Sequence, residues 1–321
     1  MTRGVHDVAV WWTPDEVPGD LGRTVVTIGV FDGVHKGHQA VIGRAAKRAR
    51  DAGIPLLVIT FDPNPMAVVR PEAAPPSLVP LERRIALLVD AGADHVLVLP
   101  FDKQRAQQPA EEFVTDVLSG VCGVLVLVVG EDFRFGHRAA GDVALLRRLG
   151  AEHGFTVDAV EIVGGAEVAR WSSTHIRDLV AAGDVAAAAE ALGRSYRFEG
   201  VVVRGEGRGR ELGYPTANLP VRDGAVAPAD GVYAGWVTVA DDPNAPALPA
   251  AISVGTNPTF GGSGRTVEPY VLDRDDLDLY GLPIAVDFVD RIRGQERFAS
   301  VDDLVAQMAQ DVAQTRQVLG L

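Results

Sequence analysis

The run Val25-Val26-Thr27-Ile28-Gly29-Val30-Phe31-Asp32-Gly33-Val34-His35-Lys36-Gly37-His38 decides the fold of the first half of the chain. Its opening residues, Val25–Val30, form a near-continuous apolar and β-branched stretch, which suits a strand covered on both faces. Gly33 permits a tight turn, and a helical pattern, His38–Ala52, follows. At such a strand–loop–helix junction the free backbone N–H groups point at whatever binds there. His35 and His38 are three residues apart, so one helical turn aims both at one ligand. Gly37 between them lets the backbone approach closely. Two imidazoles and a helix N-terminus form a donor cluster suited to charge developing on a phosphate. A metal site would need third and fourth ligands, and none is spaced nearby.

The same rhythm extends outward. Apolar runs recur at Leu56–Phe61, Val96–Leu99 and Leu125–Val129, with a weaker one at Val157–Val163. Helical patterns lie between them at Leu81–Ala91, Ala110–Ser119 and Val143–His153. The Ala52-Gly53 and Ala91-Gly92 pairs read as helix stops. Strand alternating with helix predicts right-handed βαβ units and an α/β, doubly wound parallel sheet, with ligands at the carboxyl ends of the strands.

Near residue 185 the rhythm changes. Two short helices are predicted at Thr174–Ala182 and Val185–Leu192. Strands then follow without long helices between them: Tyr196–Val203, Val232–Val239, Ala250–Val254, Thr266–Leu272 and Ile284–Ile292. That is the pattern of a small all-β barrel. Asp241–Asn244 reads as a surface turn within it. A terminal helix, Val301–Leu319, carries an apolar stripe of Leu304, Val305, Met308, Val312 and Leu319. The expected domains are 1–185, α/β, and 186–321, a β-barrel with a C-terminal helix.

Composition narrows the function. The 321 residues carry a net charge of −13, which argues against a nucleic-acid binder. Only Lys36, Lys47 and Lys103 are lysines, and no Gly-Lys-Ser/Thr occurs, so a P-loop kinase is excluded. No Val-Ala-Ile-Lys or His-Arg-Asp occurs either, which removes the protein kinases. Phosphate chemistry here must rest on arginine, histidine, backbone amides or a metal. The single cysteine, Cys122, excludes an intrachain disulfide and a cysteine-based zinc cluster. No apolar signal segment follows the first residues, and runs such as Val124–Val129 fall far short of the ~20 residues a membrane span needs. The expectation is a cytoplasmic protein with no membrane and no nucleic-acid partner; a homo-oligomer stays open.

The second half offers its own phosphate site. Arg204-Gly205-Glu206-Gly207-Arg208-Gly209-Arg210 precedes Leu212-Gly213-Tyr214-Pro215-Thr216-Ala217-Asn218. A dinucleotide fingerprint would require a helix next, and Pro215 in an all-β context speaks against that. Glycines flanked by arginines can clamp phosphates, through Gly207, Arg208, Gly209 and Arg210; a mobile basic hairpin is the alternative. In an extended chain Thr216 and Asn218 face one side. Their hydroxyl and amide oxygens are hard ligands fit for Mg²⁺ alongside substrate phosphate.

These motifs carry a resemblance. Gly-x-Phe-Asp-Gly-x-His-x-Gly-His, at Gly29, Phe31, Asp32, Gly33, His35, Gly37 and His38, resembles the signature of the nucleotidylyl transferase superfamily. The resemblance implies that both histidines stabilise the transition state at an α-phosphorus. Phe61-Asp62-Pro63-Asn64-Pro65 and Gly130-Glu131-Asp132-Phe133-Arg134-Phe135-Gly136 resemble stretches of bacterial FAD synthetases, as does Trp171-Ser172-Ser173-Thr174-His175-Ile176-Arg177. Asp132 stands in an asparagine slot and loses an amide donor. His175 replaces an arginine and removes one certain positive charge. Gly-Tyr-Pro-Thr-Ala-Asn, ending at Asn218, resembles the riboflavin kinase signature. That likeness continues through Gly231–Ala234, Val254–Phe260, Val267-Glu268 and Phe288–Arg293.

The whole is similar to the bacterial bifunctional riboflavin kinase/FAD synthetase family. The resemblance implies that the barrel turns riboflavin and Mg-ATP into FMN and ADP, and that the α/β domain joins FMN to AMP from a second ATP, giving FAD and pyrophosphate. It implies Glu268 as base for the flavin 5′-hydroxyl and Pro215, Thr216 and Asn218 at ATP and Mg²⁺. Ser172, Ser173, Thr174 and Arg177 are implied on the leaving pyrophosphate, with Asn64, Asp132, Phe133 and Arg293 near flavin. Asp132 and His175 leave a second reading open, a riboflavin kinase whose first domain has lost adenylyl transfer.

Overall fold

The computed structural model describes residues 8–161, 171–205, 208–239, 245–256 and 264–321. Val163, Gly207, the Asp241–Asn244 turn and the stretch 257–260 lie outside the described residues, as does the side chain of Arg208. The chain forms two compact units, Met1–Pro75 with Pro80–Ser172, and Pro76–Val79 with Ser173–Leu321.

The first unit runs β1 (Ala9–Trp11), β2 (Thr24–Ile28), α1 (Lys36–Ala52), β3 (Leu56–Asp62), α2 (Pro65–Val69), α3 (Leu81–Asp90), β4 (His95–Pro100), α4 (Ala110–Phe113), β5 (Val124–Gly130), α5 (Val143–His153) and β6 (Thr156–Val160). Helix α4 continues as a π-helical segment, Val114–Val121, where the sequence predicts one regular helix to Ser119. The strands form one sheet in the order β1-β4-β3-β2-β5-β6, and every pair is parallel. Its central strands are apolar on both faces because helices cover both: all five residues of β2 are buried, as are the first five of β3.

Chain order and sheet order part at β2, which has β3 on one side and β5 on the other. That is a topological switch point, and the crevice beyond the carboxyl ends of β2 and β5 is where such folds take ligands. The loops leaving these strands are Gly29–His35 and Glu131–Gly136.

The second unit runs α6 (Ser173–Ala182), α7 (Val185–Leu192), β7 (Tyr196–Val201), α8 (Arg208–Glu211), β8 (Leu219–Pro220), β9 (Gly231–Val239), β10 (Leu248–Thr256), β11 (Arg265–Val271), β12 (Pro283–Gly294) and α9 (Val301–Leu319). Its sheet order is β7-β12-β9-β10-β11-β8, with every pair antiparallel. An antiparallel bridge between Val203 and Asn218 joins the two edges just beyond β7 and before β8. The sheet is thereby nearly closed into a barrel.

The compact units divide at Ser172/Ser173 rather than at the expected 185/186. Helix α6 hydrogen-bonds into the barrel unit: Ala229 N–H donates to Val180 O at 3.2 Å, and Arg291 donates to Ala182 O at 3.3 Å. Pro76–Val79 joins it too, with Ser77 N–H on Gly224 O at 2.7 Å and Val226 N–H on Ser77 O at 3.1 Å. A boundary drawn from the change in strand rhythm has no access to these pairings.

Helix α9 lies on the barrel through the predicted stripe, whose members are half-buried. The most buried residues on that side are polar, Asp311 at 4% exposure and Thr315 at 0%. Asp311 faces Arg293 of β12 in a bidentate pair, Nε–Oδ1 2.8 Å and Nη2–Oδ2 2.7 Å. Gln307 adds a bond to the same carboxylate at 3.0 Å.

Candidate active sites

The turn after β2 is held in an unusual conformation. Phe31 (φ 52°) and Val34 (φ 40°) both adopt left-handed backbone, flanking Gly33 at φ 79°. For a β-branched valine this is a strained state. Val34 N–H donates to Phe31 O at 3.0 Å, and Gln39 Nε2 donates to Val34 O at 2.8 Å, which pins it. The strain folds the loop back so that His35 becomes the N-cap of α1, its Nδ1 accepting from His38 N–H at 3.4 Å.

The turn stacks the two imidazoles face to face, with centroids 3.6 Å apart and planes 22° apart, and sets Phe31 edge-on to His38 at 5.2 Å. His35 is 4% exposed. Burial, and then the neighbouring His35, hold the His38 imidazole well below its usual range. It is neutral at pH 7. Its Nδ1 is buried without a hydrogen-bond partner, an uncommon state for a buried polar atom and one a ligand can relieve.

Arg84 of α3 supports this turn, and periodicity alone gave no sign of it. Arg84 is 5% exposed. Nη1 donates to Val30 O at 3.1 Å, Thr60 Oγ1 at 3.2 Å and Phe61 O at 3.0 Å. One buried cation thus ties the end of β2 to the end of β3. Burial lowers its pKa, while Asp32, Asp62 and Glu82 pull the other way. Lys36 is a second residue not foreseen: Nζ lies 5.6 Å from the Trp171 ring centroid, which brings Trp171, next to Ser172, to the start of α1.

A cavity of about 490 Å³ opens beside the switch point. Gly29 and Val30 form one wall, Asp132, Phe133, Arg134, Phe135 and Gly136 another. Phe61, Pro65, Met66, Phe101 and Phe113 make it predominantly apolar, and Arg105 and Gln108 border it. This volume lies within the ~300–1,000 Å³ of ordinary ligand pockets. Asp132 and Phe133 are both among its lining residues. Asn64 instead caps α2, its Oδ1 accepting from Met66 N–H at 3.0 Å, and its neighbours Pro65 and Met66 provide the lining.

In the second unit, Ser173 and Thr174 open α6, and Arg177, one turn on, donates to Pro76 O at 2.7 Å. Farther along, β8 pairs antiparallel with β11 through Leu219↔Val267 and Pro220↔Thr266. Ala217 N–H continues the ladder onto Pro269 O at 3.0 Å. This register sets Asn218 opposite Glu268, and residues directly opposite share a face. Asn218 and Glu268, some fifty residues apart in sequence, thus lie opposite one another. Thr216, two residues before Asn218, lines a small cavity with Ala217 and Pro269.

Glu268 Oε1 accepts from Thr266 Oγ1 at 2.8 Å, which orients the carboxylate. Asn218 is 7% exposed. Gly205 lies against it: a Cβ there would sit 2.6–2.7 Å from the Asn218 amide atoms. A cavity of about 40 Å³ adjoins, lined by Arg210, Pro215, Thr216 and Tyr280 among others. Arg204 stacks over Tyr280 at 5.3 Å. Gly209 N-terminal to the turn accepts from Tyr214 N–H at 2.7 Å through its carbonyl. Arg293 is engaged with Asp311 and lies 5.7 Å from the Phe298 ring, so its guanidinium fastens α9 to β12.

Among the described residues, no cluster of three or more His, Cys, Asp or Glu could hold a metal ion, and no helix is long and apolar enough to cross a membrane.

Known proteins carry the same two-part arrangement. The FAD synthetase family model matches residues 18–175 and the riboflavin kinase family model residues 192–319. The bifunctional riboflavin kinase/FMN adenylyltransferase of Escherichia coli K12 is 37% identical over 324 residues, covering 100% of this chain and 98% of that protein. The protein of the same description from Pseudomonas fluorescens is 39% identical, covering 98% and 96%. A crystal structure of a macrolide-efflux protein from Streptococcus pneumoniae superposes with a TM-score of 0.85 at 32% identity, covering 96% of this chain and 98% of that one. With two family models matched in series and relatives aligned from end to end, the chain belongs to the bifunctional riboflavin kinase/FMN adenylyltransferase family.

Proposed function

We propose that this chain makes FAD from riboflavin in two ATP-dependent transfers at separate sites, phosphorylation in the barrel unit and adenylylation in the α/β unit. The observation that carries the reading is the juxtaposition of Asn218 and Glu268, opposite one another in the register that β8 and β11 set.

In the barrel, Glu268 accepts the proton of the riboflavin 5′-hydroxyl as that oxygen attacks the γ-phosphorus of ATP. Its bond from Thr266 holds the carboxylate in one orientation. Thr216 and Asn218 supply two neutral hard oxygens, a set that fits Mg²⁺ arriving with nucleotide phosphates. When bound, the ion neutralises charge on the β- and γ-phosphates. Gly205 seats directly on the Asn218 amide and fixes it. Pro215, Gly207, Arg208, Gly209 and Arg210 frame the nucleotide phosphates. Arg293 supports the flavin side by anchoring α9. The products are FMN and ADP.

In the α/β unit the apolar cavity takes the flavin ring of FMN, with Asn64 shaping its rim through α2 and Asp132 and Phe133 on its wall. The FMN phosphate attacks the α-phosphorus of a second ATP, and pyrophosphate leaves. His35, His38 and the N–H groups around Gly29, Phe31, Asp32, Gly33 and Gly37 stabilise charge on the α-phosphate oxygens. His38 acts as a neutral imidazole, donating a hydrogen bond rather than a proton. Ser172, Ser173, Thr174 and Arg177 are assigned to the departing pyrophosphate on their motif alone. Asp132 accepts hydrogen bonds only, and His175 contributes no fixed charge.

The test uses single variants of the full chain. Glu268→Gln removes FMN formation from riboflavin and leaves FMN-to-FAD conversion intact. His38→Ala does the reverse, and FMN accumulates. A folded variant that loses both activities refutes the two-site division.

A further inference from the structure

The cavity of the α/β unit is not uniform. Phe61, Met66, Phe133 and Phe135 give it apolar walls, with Phe133 and Phe135 stacked at 5.7 Å and 11°. One border is polar and cationic, formed by Arg105 with Gln108. Arg105 Nη1 donates to Gln108 Oε1 at 2.7 Å. Among the described residues its Nε and Nη2 make no hydrogen bond, so a half-buried guanidinium keeps donors to spare beside an apolar cavity.

The placement of this cation is built rather than incidental. Arg105 N–H donates to Asp102 Oδ1 at 2.7 Å, which starts a short turn. The turn is then tied to the loop after β5: His137 N–H donates to Gln108 O at 2.8 Å, and His137 Nδ1 lies 3.0 Å from Ala106 O. The segment that carries the cation and the loop that carries Phe133 and Phe135 form one rim.

An isoalloxazine ring has the same asymmetry as this cavity. One end is a dimethylbenzene, and the other presents two carbonyl oxygens flanking an N–H. Carbonyl oxygens need donors. Asp132, also on the lining, is a carboxylate and offers none. Arg134 is exposed, with Nη1 turned back onto Phe133 O at 3.0 Å. A guanidinium with free N–H groups matches two nearby acceptor oxygens.

We infer that Arg105, held by Gln108, is a specificity-determining residue of adenylyl transfer that binds the carbonyl edge of the flavin and so fixes which way round the ring lies. This rests on the reading that the cavity takes FMN. Gln108 holds Nη1 of the guanidinium, and His137 ties the segment that carries both to the loop after β5.

The experiment measures KM and kcat for FAD formation from FMN, 2-thio-FMN, 4-thio-FMN and 8-chloro-FMN, in the wild-type full chain and in Arg105→Leu and Met66→Trp. Near-ultraviolet circular dichroism and the unfolding midpoint monitor folding. Loss of a hydrogen bond to a charged group predicts that Arg105→Leu raises the KM for FMN by about 10–100-fold, with a much smaller change in kcat. The wild type should prefer FMN over at least one thio analogue, because sulfur accepts hydrogen bonds weakly, and Arg105→Leu should erase that preference. Discrimination against 8-chloro-FMN, altered at the far end, should stay as it was. If Arg105→Leu shifts KM equally for all four flavins, or not at all, the inference is wrong; an equal shift would place the guanidinium on the FMN phosphate. Met66→Trp fills the cavity and should abolish use of every analogue. If it leaves the KM for FMN unchanged, the cavity is not the flavin site and the underlying reading fails.

Discussion

Gly205→Ala isolates the geometry of the kinase site with a single methyl group. The glycine does not occupy left-handed backbone, so alanine brings no conformational strain of its own. The added Cβ would lie 2.6 Å from Asn218 Nδ2, where ordinary contact begins near 3.4 Å. Relief therefore needs a displacement of about 0.8 Å. The Asn218 side chain is 7% exposed and faces Glu268 across the ladder, so it has little room to yield without leaving its position. Overpacking of this kind costs about 1–3 kcal/mol in stability, which a folded domain survives. Misplacing a positioning group by close to 1 Å costs about 100-fold in rate. The expectation is a folded protein whose riboflavin phosphorylation falls about 30–100-fold while conversion of supplied FMN to FAD is unchanged. Chromatographic separation of riboflavin, FMN and FAD over time reads both steps. Wild-type kinase rates in a folded Gly205→Ala protein would refute the assignment of Asn218.

Three further outcomes follow from the same structure. His38 has a folded pKa below its unfolded value, so between the two values the unfolded chain binds more protons and stability falls as pH falls. Below pH ~6.5 the loss should approach about 1.4 kcal/mol per pH unit, and denaturation of wild type and His38→Gln from pH 7.5 to pH 5.5 should show a shallower slope in the variant. Asp311→Asn leaves the Arg293 guanidinium uncompensated at 15% exposure. A cost of about 3–5 kcal/mol is expected, read as faster hydrogen exchange along α9, and unchanged exchange would refute the role given to the pair. Arg84→Met removes the donor shared by Val30 O, Thr60 Oγ1 and Phe61 O, leaving among them only the bond from Thr60 Oγ1 to Val30 O at 3.0 Å, and should slow adenylyl transfer with riboflavin phosphorylation retained; equal loss of both would count against a local role.

The parallel sheet was legible because its strands carry near-continuous apolar runs, such as Leu56–Ile59 in β3. Strand β1 was not: Ala9–Trp11 is three residues long, and only pairing with β4 makes it a strand. The histidine turn was legible as a donor cluster from its spacing. Its stacking depends on the left-handed backbone at Phe31 and Val34, residue types that give no warning of it. Arg84 sits in a helix whose pattern is satisfied by Leu87 and Leu88, so an arginine there reads as solvated; its acceptors come from β2 and β3. The meeting of Asn218 and Glu268 depends on strand register, which no local motif encodes. For Arg293, the partner that decides its role lies 18 residues on, in α9. Local chemistry was readable, and non-local pairing was not.

The central claim, two independent sites acting in sequence, is tested most directly by mixing the two single variants. Glu268→Gln alone should convert FMN to FAD but leave riboflavin untouched, and His38→Ala alone should stop at FMN. Combined with riboflavin and Mg-ATP, they should restore FAD, with FMN appearing first as the free intermediate. A mixture that forms no FAD, or FAD formed from riboflavin by either variant alone, would contradict the account.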